Sequence, residues 1–138
     1  MADGGYRERA HPADLCLEVW GVDRAALYRN AAKALFETLD FCLAPTAEPA
    51  SCSIALQAPD PETLMVDWLS ELLYQSDIQR AWWHTFDLHQ VTPTVLRGTV
   101  LGQRPATPRR EVKAVTYTGL EISQDDRGQW SATITFDV

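Results

Sequence analysis

Basic side chains are scarce in this chain. Two lysines, Lys33 and Lys113, and ten arginines stand against nineteen acidic residues, for a net charge of −7. That sign is wrong for holding a polyanion by counterion release, so direct nucleic-acid binding is not expected. It suits metal cations or a basic protein partner instead. Long apolar runs are missing too: nothing approaches the roughly 18 residues of a membrane span, and MADGGYRERAHPAD has no apolar leader. The expectation is a cytoplasmic protein with no membrane partner. Cysteine is limited to Cys16, Cys42 and Cys52, with no C-x-x-C pair, which argues against a disulfide framework and against a thiolate zinc site. All three read as small buried hydrophobes. G-x-G-x-x-G, the P-loop, G-x-S-x-G and H-E-x-x-H are absent as well, and the three histidines, His11, His84 and His89, are scattered.

What is present suffices for one domain with a substantial core: 138 residues, 46% hydrophobic, with five tryptophans. Residues 1–10 are polar and read as a mobile lead, ahead of a folded unit over 11–138. Leu15, Leu17 and Val19 alternate with polar or larger neighbours, predicting a strand that Gly21 ends. Asp23 suits an N-cap, and Leu27, Ala31, Ala34, Leu35 and Leu39 recur along one helical face. Pro45 and Pro49 bracket an expected loop before a short strand at Ser51–Gln57. Asp60 and Pro61 then open a second helix with Met65, Trp68, Leu69, Leu72 and Leu73 on its apolar stripe.

From residue 82 the period changes to two. WWHTFDLHQV, TPTVLRGTVLG, EVKAVTYTGLEIS and QWSATITFDV are four strand candidates, with GQRPATPRR as a solvated loop and QDDRG as a turn. Helices early and strands late predict an α+β fold, two helices packed against a mixed, largely antiparallel sheet in a single compact domain.

Carboxylates are the better candidates for chemistry. Alternation puts Asp14 on the face opposite Leu15, Leu17 and Val19. Asp137 likewise projects away from the buried row Trp130, Ala132, Ile134 and Phe136. Where the chain ends at Val138, its α-carboxylate lies one residue from Asp137, giving a pair of hard oxygen donors for Ca²⁺ or Mg²⁺. On spacing alone, a solvated turn residue and a solvated last residue remain the simpler reading. Lys113 reads as either a functional cation or an ordinary polar-face residue, and Arg104, Arg109 and Arg110 as solvated loop residues.

HPADLCLEVWG at His11–Gly21 resembles the H-T-A-D-x-x-x-x-x-x-G opening of the archease family. AAKALFETL, LMVDWLSELLYQSD, EVKAVTYTGLEI and a closing FDV continue the likeness in the family's order. The resemblance implies a non-catalytic accessory protein of RtcB-type RNA ligases, which use GTP and a divalent metal to join RNA ends in tRNA splicing and RNA repair. Its implied role is to promote guanylylation of the ligase and its multiple turnover. The implied metal ligands are Asp14, Asp137 and the Val138 carboxylate, with Ca²⁺ as the ion and Mg²⁺ or Mn²⁺ as alternatives. Lys113 and His11 inherit a role in activating the partner. Pro12 stands where the family has Thr, and Thr118 where it commonly has His. Two other functions compete: a general chaperone or scaffold, and a small metal-dependent hydrolase that lacks an evident nucleophile.

Overall fold

The computed structural model describes residues 3–9 and 14–138. In chain order it comprises β1 (Gly4–Arg9), β2 (Asp14–Gly21), α1 (Arg24–Leu39), β3 (Phe41–Gln57), α2 (Pro61–Gln79), β4 (Trp82–Val91), β5 (Val95–Pro108), β6 (Ala114–Val115), β7 (Ser123–Gln124) and β8 (Trp130–Asp137). The expected α+β architecture is present as a single compact domain. Its strands, however, form two antiparallel sheets among the described residues and not one mixed sheet. One has the order β1-β2-β8-β6 with β7 also on β8, and the other the order β3-β5-β4. The reason lies in α1, which packs on β1, β2 and β8 of the first sheet and on β4 of the second. A helix covered on two sides holds the sheets apart.

That position explains why α1 buries more than one stripe. Ala26, Tyr28, Ala32 and Phe36 are as buried as the predicted Leu27, Ala31, Ala34, Leu35 and Leu39. Both N-caps form as expected: the Asp23 side chain accepts from the Ala26 N–H and that of Asp60 from the Thr63 N–H, each at 2.7 Å. The Trp68 Nε1–H donates to the Tyr28 carbonyl at 2.9 Å, and the Tyr28 hydroxyl donates to the Pro61 carbonyl at 2.7 Å. These bonds lock the two helices together where each also enters the shared core.

Five expectations are corrected. The supposed mobile lead contributes β1, which pairs along β2 from Gly4–Gly21 to Arg9–Cys16. Its alternation had been hidden by its polarity. Tyr6 packs against the core, while Arg7 and Arg9 both reach Glu18 on the outer face. The expected loop around Pro45 and Pro49 belongs to β3, whose pairing with β5 is irregular between Leu43 and Glu48. β3 is an edge strand, where proline costs no shared hydrogen bond. GQRPATPRR likewise is strand as far as Pro108. Conversely, EVKAVTYTGLEIS is not one strand. Only Ala114–Val115 and Ser123–Gln124 pair with β8, because a turn closed by the Leu120 N–H on the Tyr117 carbonyl, with Gly119 at φ +65°, lifts the middle out. Finally, Cys16 is buried but Cys52 is only partly so and Cys42 is exposed.

Candidate metal centre and its surroundings

Asp14 and Asp137 are 123 positions apart in sequence, yet they are direct partners across the β2–β8 ladder. Every other pair along that ladder fixes their orientation. Leu15–Phe136, Leu17–Ile134 and Val19–Ala132 are buried and face the core, so Asp14–Asp137, Cys16–Thr135 and Glu18–Thr133 share the outer face. Facing residues of an antiparallel pair hold their Cβ atoms roughly 4.5–5.5 Å apart, so two carboxylates lie side by side at this end of the sheet. Asp14 is half-buried, and Asp137 and Val138 are exposed.

β8 lies between two partners here. Ala114 of β6 pairs with Asp137 from the other side, and the Lys113 N–H donates to the Asp137 carbonyl at 2.8 Å. Asp14 and Asp137 therefore meet on adjacent strands, the backbone of Lys113 just ahead of β6 is bonded to Asp137, and Val138 is next in the chain. His11 and Pro12 lie outside the described residues. Thr118 is exposed in the turn that leaves the sheet.

As donors, the carboxylates fit a hard divalent cation in kind. Like charges placed directly opposite each other across a ladder are unfavourable, and an ion between them reverses that sign. In number they fall short. Among the described residues no group of three or more His, Cys, Asp or Glu side chains is assembled to hold a metal. Two aspartates leave most of the six to eight oxygens that Ca²⁺ takes to the Val138 carboxylate and to water.

The remaining candidates separate cleanly. His84 and His89 are exposed, His84 lying tilted against Trp82 with 4.9 Å between centroids, and neither lies on the β2–β8 ladder. The three arginines expected in a loop are held, not merely solvated: Arg104, within β5, donates to the Gln79 carbonyl at 2.8 Å, Arg109 pairs with Asp40 at 3.3 Å, and Arg110 with Glu8 at 3.3 Å. On the outer face of the same sheet, the hydrogen bond from Arg7 holds the Glu18 carboxyl below its usual range. Burial pushes the Tyr28 hydroxyl well above its ordinary value, and burial also raises the Cys52 thiol to about 11. None of these groups adjoins Asp137.

Sequence reasoning missed one feature. The Lys113 side chain lines an open cleft of about 870 Å³ between the end of α2, the end of β5 and the segment leading into β6. Its walls come from separated segments, which leaves no local motif to read.

The sequence model of the Archease protein family matches residues 6–138. A protein archease of Methanosarcina barkeri is 31% identical over 141 residues, covering 96% of this chain and 95% of that protein. A solution structure of a Methanobacterium thermoautotrophicum protein superposes with a TM-score of 0.68 at 28% identity, over 97% of this chain and 99% of the other. A crystal structure from Thermotoga maritima, described as an archease and possible chaperone, gives a TM-score of 0.70 at 19% identity, over 96% of each chain.

Proposed function

From the premise that this chain belongs to the archease family, we propose that it is the accessory activator of an RtcB-type RNA ligase, promoting the ligase's guanylylation and repeated turnover through a carboxylate site for a divalent cation. Asp14, Asp137 and, where the chain ends there, the α-carboxylate of Val138 are the ligands, and Ca²⁺ is the ion that suits them. Bound, the ion supplies a fixed positive charge that neutralises the facing carboxylates. The chain's own groups do the rest. The β2–β8 ladder holds the two aspartates in register, and the Lys113 N–H fixes the carbonyl of Asp137 so that its side chain stays on the outer face. Lys113 brings a cation to the same edge, positioned to meet an acidic group of the partner.

The single observation that carries this reading is the direct pairing of Asp14 with Asp137. The net charge of −7 also favours docking to protein over capture of RNA. The test is to mix purified ligase, GTP and RNA ends with and without this protein, following covalent guanylate on the ligase and product per ligase. Stimulation that disappears in folded Asp14→Ala and Asp137→Ala variants is the expected result. No change in guanylate or turnover on adding the wild-type protein refutes it. A general chaperone would instead suppress aggregation of unrelated clients, indifferent to Asp137→Ala. Among the described residues the large exposed apolar side chains are Val22, Leu43, Tyr74, Ile78, Leu101, Tyr117 and Val138, and only Tyr74 and Ile78 share an element, which falls short of a broad client-binding face.

A further inference from the structure

An edge strand leaves a row of backbone N–H and C=O groups unpaired, and charge, proline, bulges or an overlying element keep another strand off it. Most edges of this molecule are guarded in one of these ways. β1 carries Arg7, Glu8 and Arg9, and β6 and β7 are two residues each. β4 shifts register twice against β5, and Arg29 of α1 donates to its Phe86 carbonyl at 3.3 Å. β3 is guarded over its first half alone: Pro45, Glu48, Pro49 and the irregular pairing between Leu43 and Glu48 all fall before Ala50. From Ala50 to Gln57 the strand has no proline, glycine or charge, and it keeps register with β5 from Ala50–Gly102 to Gln57–Val95. Alternate residues there turn their N–H and C=O groups away from β5, and no hydrogen bond from any other described residue reaches them.

We propose that Ala50–Gln57 is a docking edge for a second copy of this chain, the two β3 strands pairing antiparallel so that the three-stranded sheet is doubled across a two-fold axis. The edge suits a copy of itself on two counts. Ser51, Ser53, Ala55 and Gln57 are exposed on one face, whereas Ile54 is buried and Cys52 and Leu56 pack against the core on the other. An axis at Ile54 sets Ser53 opposite Ala55, Cys52 opposite Leu56 and Ser51 opposite Gln57, so small or polar meets small or polar and apolar meets apolar. The second count is charge. Two chains of net charge −7 repel each other, and along this edge they meet with no charged side chain in register. Glu71 on α2 is felt electrostatically at Cys52, so some like-charge repulsion remains for salt to screen. The carboxylate pair belongs to the other sheet, so the dimer carries two of them.

The test is sedimentation equilibrium of the full chain from about 5 to about 500 µM, with neither ligase nor metal, so its failure and the failure of the guanylylation assay are separate results. The expected result is a shift from the 15.5 kDa monomer to a dimer as concentration rises. Raising salt from about 50 to about 500 mM should strengthen the dimer. Amide hydrogen exchange at residues 50–57 should slow in step with dimer formation, with no such change in β4. Ser53→Lys and Ser53→Glu, both at an exposed position, should each weaken self-association about tenfold by setting like charges near the axis. Mixing the two variants should restore a dimer, a rescue that misfolded chains would not give. Leu101→Lys, on the central strand opposite Ser51 and 42% exposed, should leave the dimer unchanged, because it would break a stacking of sheet faces and not a pairing of edges. A monomer at every concentration, a dimer indifferent to both Ser53 variants, loss of the dimer in Leu101→Lys, or slowed exchange confined to other residues overturns the proposal. So does slowed exchange at 50–57 that requires added ligase, which would give the edge to that partner instead.

Discussion

The two sheets are built on opposite plans. In the three-stranded sheet, β3 and β5 pair from Phe41–Pro108 to Gln57–Val95 with one irregularity, and sequence neighbours or near neighbours supply every strand. Its outer face carries Ser51, Ser53, Thr85, Asp87 and Thr99 together with the exposed Leu101. The five-stranded sheet instead joins the two ends of the chain through β2 and β8, and its last two strands are two residues each. Every nominated site residue that the structure describes lies in or beside this second sheet. Long pairing, bent by register shifts at three places, gives the molecule its frame, while the sheet with shorter strands, whose ladders keep register throughout, brings distant carboxylates together.

The largest expected effect tests whether the plans share one core. Phe136 on β8 and Phe86 on β4 are both buried, and both belong to one continuous apolar cluster. Phe136→Ala and Phe86→Ala should each cost about 3–5 kcal/mol in denaturant melts, in a single transition seen alike by far-ultraviolet dichroism and tryptophan fluorescence. Two separate transitions in either variant would mean that the sheets fold as independent units and that the comparison is between domains.

A smaller effect belongs to the three-stranded sheet alone. β4 shifts register against β5 beside Gly102 and again beside Gly98. A Cβ at Gly102 would lie 2.0 Å from the Trp82 carbonyl oxygen, so the strand can bend toward its neighbour only because no side chain intervenes. Gly102→Ala should destabilise by about 1–3 kcal/mol, measured in urea, as an overpacking strain that the backbone must absorb. A neutral result would show that β4 is free to move away from β5, making the long sheet the more pliable of the two.

How much of this was legible in the sequence follows from the same contrast. Elements with a strong local signature were readable: Asp23 and Asp60 as caps, Pro61 at the helix start, and the alternating rows of β2 and β8. That alternation also placed Asp14 and Asp137 on outer faces. Their pairing depends on β2 and β8 becoming neighbours, and nothing local in either strand states that. Polar β1 was hidden because its Arg7 and Arg9 read as solvent-facing lead until Glu18 is placed opposite them. Residues 116–122 misled in the other direction. Val115, Thr116 and Tyr117 have strand propensity, but the turn at Gly119 and the Ile122 N–H bond to Glu62 at 2.9 Å win over it. The cleft was illegible because Tyr74, Arg80, Arg110 and Lys113 converge only through tertiary packing.

Between the sheets, the helices supply a pH-dependent contribution. Because burial raises the Tyr28 hydroxyl above its ordinary pKa of 10.0, the neutral form is favoured in the folded state. Its contribution is therefore complete below pH 10 and is lost as pH rises through the folded value. Tyr28→Phe should cost about 1 kcal/mol at neutral pH by removing the bond to Pro61. The variant should also lose less stability than wild type on going above pH 10, read from thermal melts. Identical alkaline slopes would show that Tyr28 is not what limits the core there.

The smallest effect sharpens the comparison at the site itself. In a regular sheet, charge placement on the outer face follows solubility, and removing one carboxylate there is close to neutral. At the Asp14–Asp137 pair, two like charges stand directly opposite each other on adjoining strands. Asp137→Asn keeps the shape and the ladder, since the bond from the Lys113 N–H is to the backbone carbonyl of residue 137 and not to its side chain. It removes one of the facing charges. Without divalent cations and at low salt, the variant should gain about 0.2–1 kcal/mol over wild type in urea melts. Added Ca²⁺ should then raise the wild-type melting temperature while leaving the variant nearly unmoved, because an ion that binds only the folded carboxylates stabilises only the chain that has both. Asp87→Asn, on the exposed face of β4, is the control in the other sheet and should do neither. A variant at residue 137 that loses stability in the absence of metal would mean that the facing carboxylates are held apart by other groups at this end of the sheet, and that the strain the ion is proposed to relieve is not there.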